Sequence, residues 1–240
     1  MRSLKEPVVI DLFCGAGGMS LGFKLAGYHI GLGIDKDRYS CQTHSHNFRG
    51  RCYMGEIEGI DEPSALLQEY GLERVDIIIG GPPCQGFSRV GRGKMRSLRK
   101  DPTYIHDPRN QYYKEFIRFV DILQPIYFVM ENVPDMRSYM DGDGLLLEKA
   151  LRRFQELGYV VEYQVLRADH FEVPQIRRRL FIIGNRLQQE ITWPMQTECE
   201  PVTVWQAISD LPIVSHGHRA DEIRYEARER LNEYQQLMRD

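Results

Sequence analysis

The sequence has no apolar run of membrane-spanning length, and its opening residues, MRSLKEPVVI, contain no signal-like apolar segment. Neither a membrane partner nor a secretory leader is expected. The five cysteines, Cys14, Cys41, Cys52, Cys84 and Cys199, form no CxxC pair. Such an odd, scattered set argues against a disulfide framework and predicts reduced thiols in a cytoplasmic protein. Metal-ligand spacing is also missing: Cys41, His44 and His46 crowd one stretch and His216 and His218 another, so no metal site is expected. There is no internal repeat and no low-complexity segment. A net charge of −3 lacks the basic excess that would mark the whole chain as nucleic-acid binding, so any such surface must be local.

What is present fits one sizeable domain. The chain has 240 residues, 42% hydrophobic and 27% charged, which is ordinary for a globular protein with a full core. Buried strands are expected at 8–13, 28–34, 52–54, 75–79, 126–130, 159–166 and 179–184. Helices are expected at 19–26, 38–47, 63–70, 110–123, 145–157 and 204–208, with a charged helix at 221–238. Alternation of strands with helices predicts an α/β, doubly wound, Rossmann-like parallel sheet. A single domain is expected over 1–240, with a core of about 7–190 and a helical extension over 200–240. Residues 86–108 show no periodicity, and a loop this long inside a compact domain is functional or disordered.

The chemistry gathers at strand ends. Strand 75–79 runs into Gly80-Gly81-Pro82-Pro83-Cys84-Gln85-Gly86-Phe87-Ser88. Two prolines fix the backbone before Cys84, which is either a positioned nucleophile or an inert buried thiol. The turn Cys14-Gly15-Ala16-Gly17-Gly18 follows the first strand. Its spacing is not GxGxxG, and it serves either a nucleotide or tight strand–helix packing. Asp35 ends the second strand, where an acid accepts ribose hydroxyls or caps the next helix. Together the turn and the acid point to an adenosine-type cofactor. Glu131 ends strand 126–130, where a carboxylate is solvated, caps the next element or acts; if buried, it would hold its proton nearer neutral pH. In Gln175-Ile176-Arg177-Arg178-Arg179, alternation puts Arg177 and Arg179 on one side. They either meet a ligand at the sheet edge or remain solvated. Arg89, Arg92, Lys94, Arg96, Arg99 and Lys100 precede the next acid, Asp101, in a glycine-containing stretch that either closes over a polyanion or is a solvated loop.

Four of these segments, DLFCGAGGMSLGF (11–23), GGPPCQGFS (80–88), ENV (131–133) and QIRRR (175–179), stand in an order that closely resembles the DNA (cytosine-5) methyltransferases, and ISDLP (208–212) also fits. The resemblance covers about 8–212 and implies S-adenosyl-L-methionine as methyl donor and double-stranded DNA as substrate. It implies that Cys84 attacks carbon 6 of a flipped-out cytosine. Glu131 would hydrogen-bond ring nitrogen 3 and the exocyclic amine, and Arg179, supported by Arg177, would stand near the carbonyl oxygen. Phe13, Gly15, Ala16, Gly17 and Gly18 match the cofactor turn, and Asp35 with Lys36 the ribose side. Glu56 and Ile57 match a Gly-Asp-Ile segment whose acid meets the adenine amine; here the acid is glutamate. Pro83 and Tyr112 would line the methionine side, and Gly81 also belongs to the cofactor-binding set. Gln85, Ser88, Arg89, Arg92, Lys94 and Arg96 would face DNA.

The family's target-recognition region and its final cofactor segment are not readable after Pro212. The expectation is therefore a catalytic part, one subunit of a split methyltransferase or a fragment, with a partner that supplies recognition and completes the cofactor site. Two alternatives stay open: an RNA cytosine methyltransferase of the same fold, and a regulatory binding subunit. A nicotinamide dehydrogenase would explain the glycine turn and acid, but not PPC, ENV and QxRxR together.

Overall fold

The computed structural model describes residues 6–49, 51–83, 111–197, 200–217, 219, 222–225 and 231–239. Among these residues, seven strands form one sheet in the order β3-β2-β1-β4-β5-β9-β8. They are β1 (Val8–Leu12), β2 (His29–Asp35), β3 (Cys52–Met54), β4 (Ile77–Gly80), β5 (Tyr127–Asn132), β8 (Val160–Arg167) and β9 (Arg178–Asn185). A two-residue pair, β6 (Met140–Asp141) and β7 (Gly144–Leu145), is separate.

Strands β3, β2, β1, β4 and β5 pair in parallel, as the alternating pattern predicts. Central strands of such a sheet are covered on both faces, which is why Val9 and Ile10, pointing opposite ways, are both fully buried. Strand β9 instead runs antiparallel to β5. The segment between β8 and β9 holds only a 3-10 turn, Ala168–Phe171, and no crossover helix of the kind that parallel connections use.

The helices carry apolar faces toward this sheet. They are α1 (Gly18–Leu25), α2 (Arg38–Asn47), α3 (Pro63–Glu69), α4 (Tyr112–Leu123) and α5 (Leu146–Glu156). Helix α4 buries Tyr112, Tyr113, Phe116, Ile117, Phe119 and Val120, and α5 buries Leu146, Leu147, Ala150 and Phe154 at helical spacing. Phe154 stacks on Phe128 of β5 with ring centroids 4.1 Å apart, and Tyr159 meets Phe128 at 5.2 Å. Each buried ring of this kind contributes about 1.5–3 kcal/mol. The cluster fixes β5, and with it the position of the strand's last residues.

The described residues group into two compact units. The first, through Val165 together with Arg179–Thr192, contains α1–α5 and most of the sheet. The second comprises Leu166–Arg178 and Trp193–Asp240. In it, α6 (Val204–Ile208) opens with a capping box from Thr203 and Gln206. Asp210, buried, accepts from Arg239 at 2.9 and 3.0 Å and from the Tyr225 hydroxyl at 2.8 Å. The expected helix over 221–238 is shorter: α7 spans Glu233–Arg239, and residues 222–225 are not helical. Asn232 starts it, accepting from the Gln235 backbone while its own N–H donates to the Gln235 side chain. That reciprocal cap sets a helix start inside what otherwise reads as one charged run. No described helix is long and apolar enough to cross a membrane.

Candidate active site and cofactor cavity

Sheet register builds the site. Leu12, Ile34, Gly80 and Met130 align across β1, β2, β4 and β5. The next residues, Phe13, Asp35, Gly81 and Glu131, therefore form one row at the carboxyl edge of the sheet, the edge where open α/β sheets bind ligands.

At the first strand's end the backbone turns sharply. Phe13, Gly15 and Gly17 all take positive φ, at 60°, 54° and 96°. Gly17 caps α1, and a Cβ there would stand 2.4 Å from the Phe48 ring, so both conformation and space require glycine. Gly15 N–H donates to Asp35 Oδ2 at 2.9 Å, and Asp37 N–H donates to Asp35 Oδ1 at 2.9 Å. Asp35 thus ties the glycine turn to the start of α2. The N-cap of α2 is Asp37, which accepts from Ser40 N at 2.7 Å, so Asp35 is not the helix cap. Behind the turn, Asp11 is fully buried and accepts from Ser20 Oγ at 2.6 Å. Burial, only partly offset by that hydrogen bond, pushes the Asp11 carboxyl up to about 7.

A cavity of about 130 Å³ opens on this edge, lined by Phe13, Ile34, Asp35, Lys36, Gly55, Ile57, Glu58, Gly81, Pro83 and Tyr112. Seven of the sequence-named cofactor candidates, Phe13, Asp35, Lys36, Ile57, Gly81, Pro83 and Tyr112, meet there. Phe13 and Tyr112 pack with centroids 5.5 Å apart and give it an aromatic wall. Lys36 Nζ donates to the Tyr112 hydroxyl at 3.2 Å and pairs with Glu56 at 3.5 Å. The Tyr112 hydroxyl, and then Glu56, hold the ammonium above its usual range.

Gly15, Ala16, Gly17, Gly18 and Glu56 do not line the cavity. Glu58, Ile34 and Gly55 do, although sequence reasoning did not single them out. Ile57 is buried and anchors the 3-10 turn Ile57–Gly59, and the acid at the cavity wall is Glu58, one residue past that anchor. An acid flanking a buried isoleucine on each side was visible in the sequence; which of the two reaches the wall depends on the turn.

At the neighbouring strand end, Arg179 Nε and Glu131 Oε1 stand 2.6 Å apart, both half-buried. A Cβ on Gly81 would stand 3.2 Å from the other Glu131 oxygen, so the chain leading to Pro83 passes close to this carboxylate. Asn132 Nδ2 donates to the Pro82 carbonyl at 3.3 Å, tying the end of β5 to the same segment. Arg177 belongs to the second unit, is exposed, and offers its backbone carbonyl to Ala168 N–H at 2.9 Å. Cys84, Gln85, Ser88, Arg89, Arg92, Lys94 and Arg96 lie outside the described residues; Cys84 is the residue after Pro83.

A parallel sheet with a glycine turn, a strand-end acid and an aromatic-walled cavity at its carboxyl edge has the layout of a Rossmann-like nucleotide-cofactor enzyme. The family model for C-5 cytosine-specific DNA methylases matches residues 8–238, and the chain belongs to that family. It is 39% identical over 219 residues to the Type II methyltransferase M1.HphI of Haemophilus parahaemolyticus, covering 91% of this chain and 56% of that protein. With the Type II methyltransferase M.AquIA of Picosynechococcus sp. it shares 36% over 200 residues, covering 80% of this chain and 77% of that one. A crystal structure described as a candidate DNA modification methyltransferase encoded within an E. coli prophage superposes with a TM-score of 0.71 at 31% identity, covering 87% of this chain and 56% of that one. The S. pombe Dnmt2 methyltransferase shares the fold, with a TM-score of 0.58 at 19% identity, over 78% of this chain and 52% of that one. The chain spans about half the length of most of these relatives.

S-adenosylmethionine is the cofactor of this family. The cavity's lining fits its adenosine part: an aromatic wall suits a flat ring, and the acidic residues Asp35 and Glu58 among the lining suit polar hydroxyl and amine groups.

Proposed function

We propose that this chain carries the catalytic half of a DNA (cytosine-5) methyltransferase, with Cys84 as nucleophile. The observation that carries the reading is the edge row itself. The cofactor cavity, the Glu131–Arg179 pair and the segment leading into Cys84 occupy adjacent strand ends.

Carbon 5 of cytosine is a weak nucleophile. In the proposed reaction the Cys84 thiolate adds to carbon 6 and pushes electron density onto carbon 5. Glu131 hydrogen-bonds ring nitrogen 3 and the exocyclic amine, favouring the protonated ring that makes this addition possible. Arg179 holds the Glu131 carboxylate in place and stands ready for the base's carbonyl oxygen. The donor, when bound, supplies an electrophilic methyl group. Solvent then takes the carbon 5 proton, and expulsion of the Cys84 thiolate from carbon 6 restores the double bond. The target atom is closed off inside a duplex, so the base is flipped out to reach Cys84. The basic residues Arg89, Arg92, Lys94 and Arg96, with Gln85 and Ser88, hold the DNA backbone in that state. Such an enzyme works in the cytoplasm, where DNA and reduced thiols are found.

Target recognition, in this reading, comes from outside these 240 residues, through a second subunit or further chain. Support comes from coverage: more than two fifths of M1.HphI has no counterpart here. The test is methyl transfer to DNA by this chain alone and with the recognising part added. Site-specific transfer only in the second case agrees with the proposal, whereas full site-specific transfer by the 240 residues alone would refute the need for added recognition.

A further inference from the structure

Folding assembles a ligand set that linear spacing does not show. Cys14 follows β1, His44 lies on α2 and Cys52 opens β3. One ligand atom from each lies within 4.8 Å of the others, the one such grouping of three among the described residues. The Cys14 and Cys52 sulfurs are 3.8 Å apart. Two sulfurs bonded at about 2.3 Å to one tetrahedral zinc ion stand about 3.8 Å apart, so the thiols already have the separation that a shared ion imposes.

The imidazole is placed to match. His44 is fully buried, and its Nδ1 makes no full hydrogen bond, with only a weak contact to the Arg51 backbone. Its Nε2 lies 3.1 Å from Ser20 Oγ, whose own proton is committed to Asp11. Space beside the ring is kept clear by Gly33: a Cβ there would stand 2.8 Å from His44 Nε2 and 2.9 Å from the Cys14 sulfur. Each thiol here also reaches a backbone carbonyl, Cys14 that of Gly15 at 3.6 Å, Cys52 that of Tyr53 at 3.8 Å and, most closely, the neighbouring Cys41 that of Asp35 at 3.2 Å.

We propose that Cys14, His44 and Cys52 bind a thiophilic divalent cation of the zinc class. Two soft sulfurs and an imidazole favour such an ion over magnesium or calcium, which take oxygen ligands. Binding converts both thiols to thiolates and releases two protons to solvent. The ion would fasten the end of β1, helix α2 and strand β3 together, one residue from Gly15 of the cofactor turn. A site drawn from three elements explains why the spacing of Cys41, His44 and His46 did not predict it.

The test is titration of the reduced chain with cobalt(II), followed by zinc(II). One cobalt per chain is expected, with sulfur-to-cobalt charge-transfer absorption that one equivalent of zinc removes. Cys52→Ser, at a half-buried position, should weaken binding by at least about tenfold. Absence of the sulfur–cobalt band, or an unchanged band and affinity in a folded Cys52→Ser variant, overturns the proposal. If circular dichroism shows that variant unfolded, alkylation of the wild-type chain decides. Zinc should slow iodoacetamide labelling of Cys52 several-fold relative to the Cys84 peptide, and equal rates with and without zinc overturn the proposal.

Discussion

Glu131 and Arg179 meet at 2.6 Å as diagonal neighbours on antiparallel strands: Phe181 stands opposite Glu131, and Arg179 is two residues further along the same face. The acid and the base of the pair come from segments nearly fifty residues apart in the chain, and only the antiparallel placement of β9 joins them. That pairing gives the first prediction. Glu131→Gln should lower the rate of methyl transfer by about 10²–10⁴-fold, the usual range for loss of a positioned acid–base group. Cofactor affinity should change little, because Glu131 does not line the cavity. Single-turnover kinetics and cofactor titration separate the two effects.

The cavity gives a second prediction, between two acids. Glu58 lines it, whereas Glu56 faces Lys36. Glu58→Gln should weaken S-adenosylmethionine binding by about tenfold or more, the worth of one charge-assisted hydrogen bond. Glu56→Gln should have a smaller effect, since its pair is exposed and such pairs contribute little. Calorimetric titration of both variants ranks them; the reverse ranking would return the adenine contact to Glu56.

Much of this was legible in the sequence. Apolar runs ending in Phe13, Asp35, Gly81 and Glu131 marked the strand ends, and parallel pairing placed them in one row. Helix α2 matched its expected span, 38–47, because Asp37 supplies a cap that local chemistry determines. What could not be read was what depends on register between distant segments. The antiparallel direction of β9, the choice of Glu58 over Glu56 at the wall, and the meeting of Cys14 with Cys52 all arise from contacts between elements. The shortening of the last helix was in principle readable, since Asn232 and Gln235 form a capping pair hidden in a charged run.

Asp11 makes stability depend on pH. Its folded-state value, about 7, lies above the ordinary carboxylate value near 3.9, so the folded chain binds this proton more tightly than the unfolded chain. Unfolding free energy should therefore fall as pH rises from about 4 to 7, by up to roughly 4 kcal/mol from this group, and level off on either side. Asp11→Asn, which mimics the neutral acid, should remove that component. Denaturant unfolding of both proteins at several pH values measures it, and parallel pH profiles would contradict the assignment.

Gly17→Ala adds a methyl group 2.4 Å from the Phe48 ring at a φ of 96°. Overpacking and backbone strain should each cost about 1–3 kcal/mol. Thermal unfolding should show the loss, with cofactor affinity falling as the turn shifts. An unchanged melting temperature would show that Phe48 moves aside freely.

The central claim concerns Cys84, and trapping it on its base is the most direct test. DNA carrying 5-fluorocytosine at the target position is offered with S-adenosylmethionine to the chain together with its recognising part. Fluorine cannot leave as a proton does, so elimination is blocked and the adduct persists. The account predicts a denaturation-resistant protein–DNA adduct that maps to Cys84 and is absent in Cys84→Ser. An adduct that survives Cys84→Ser, or methyl transfer by that variant at the wild-type rate, would contradict it.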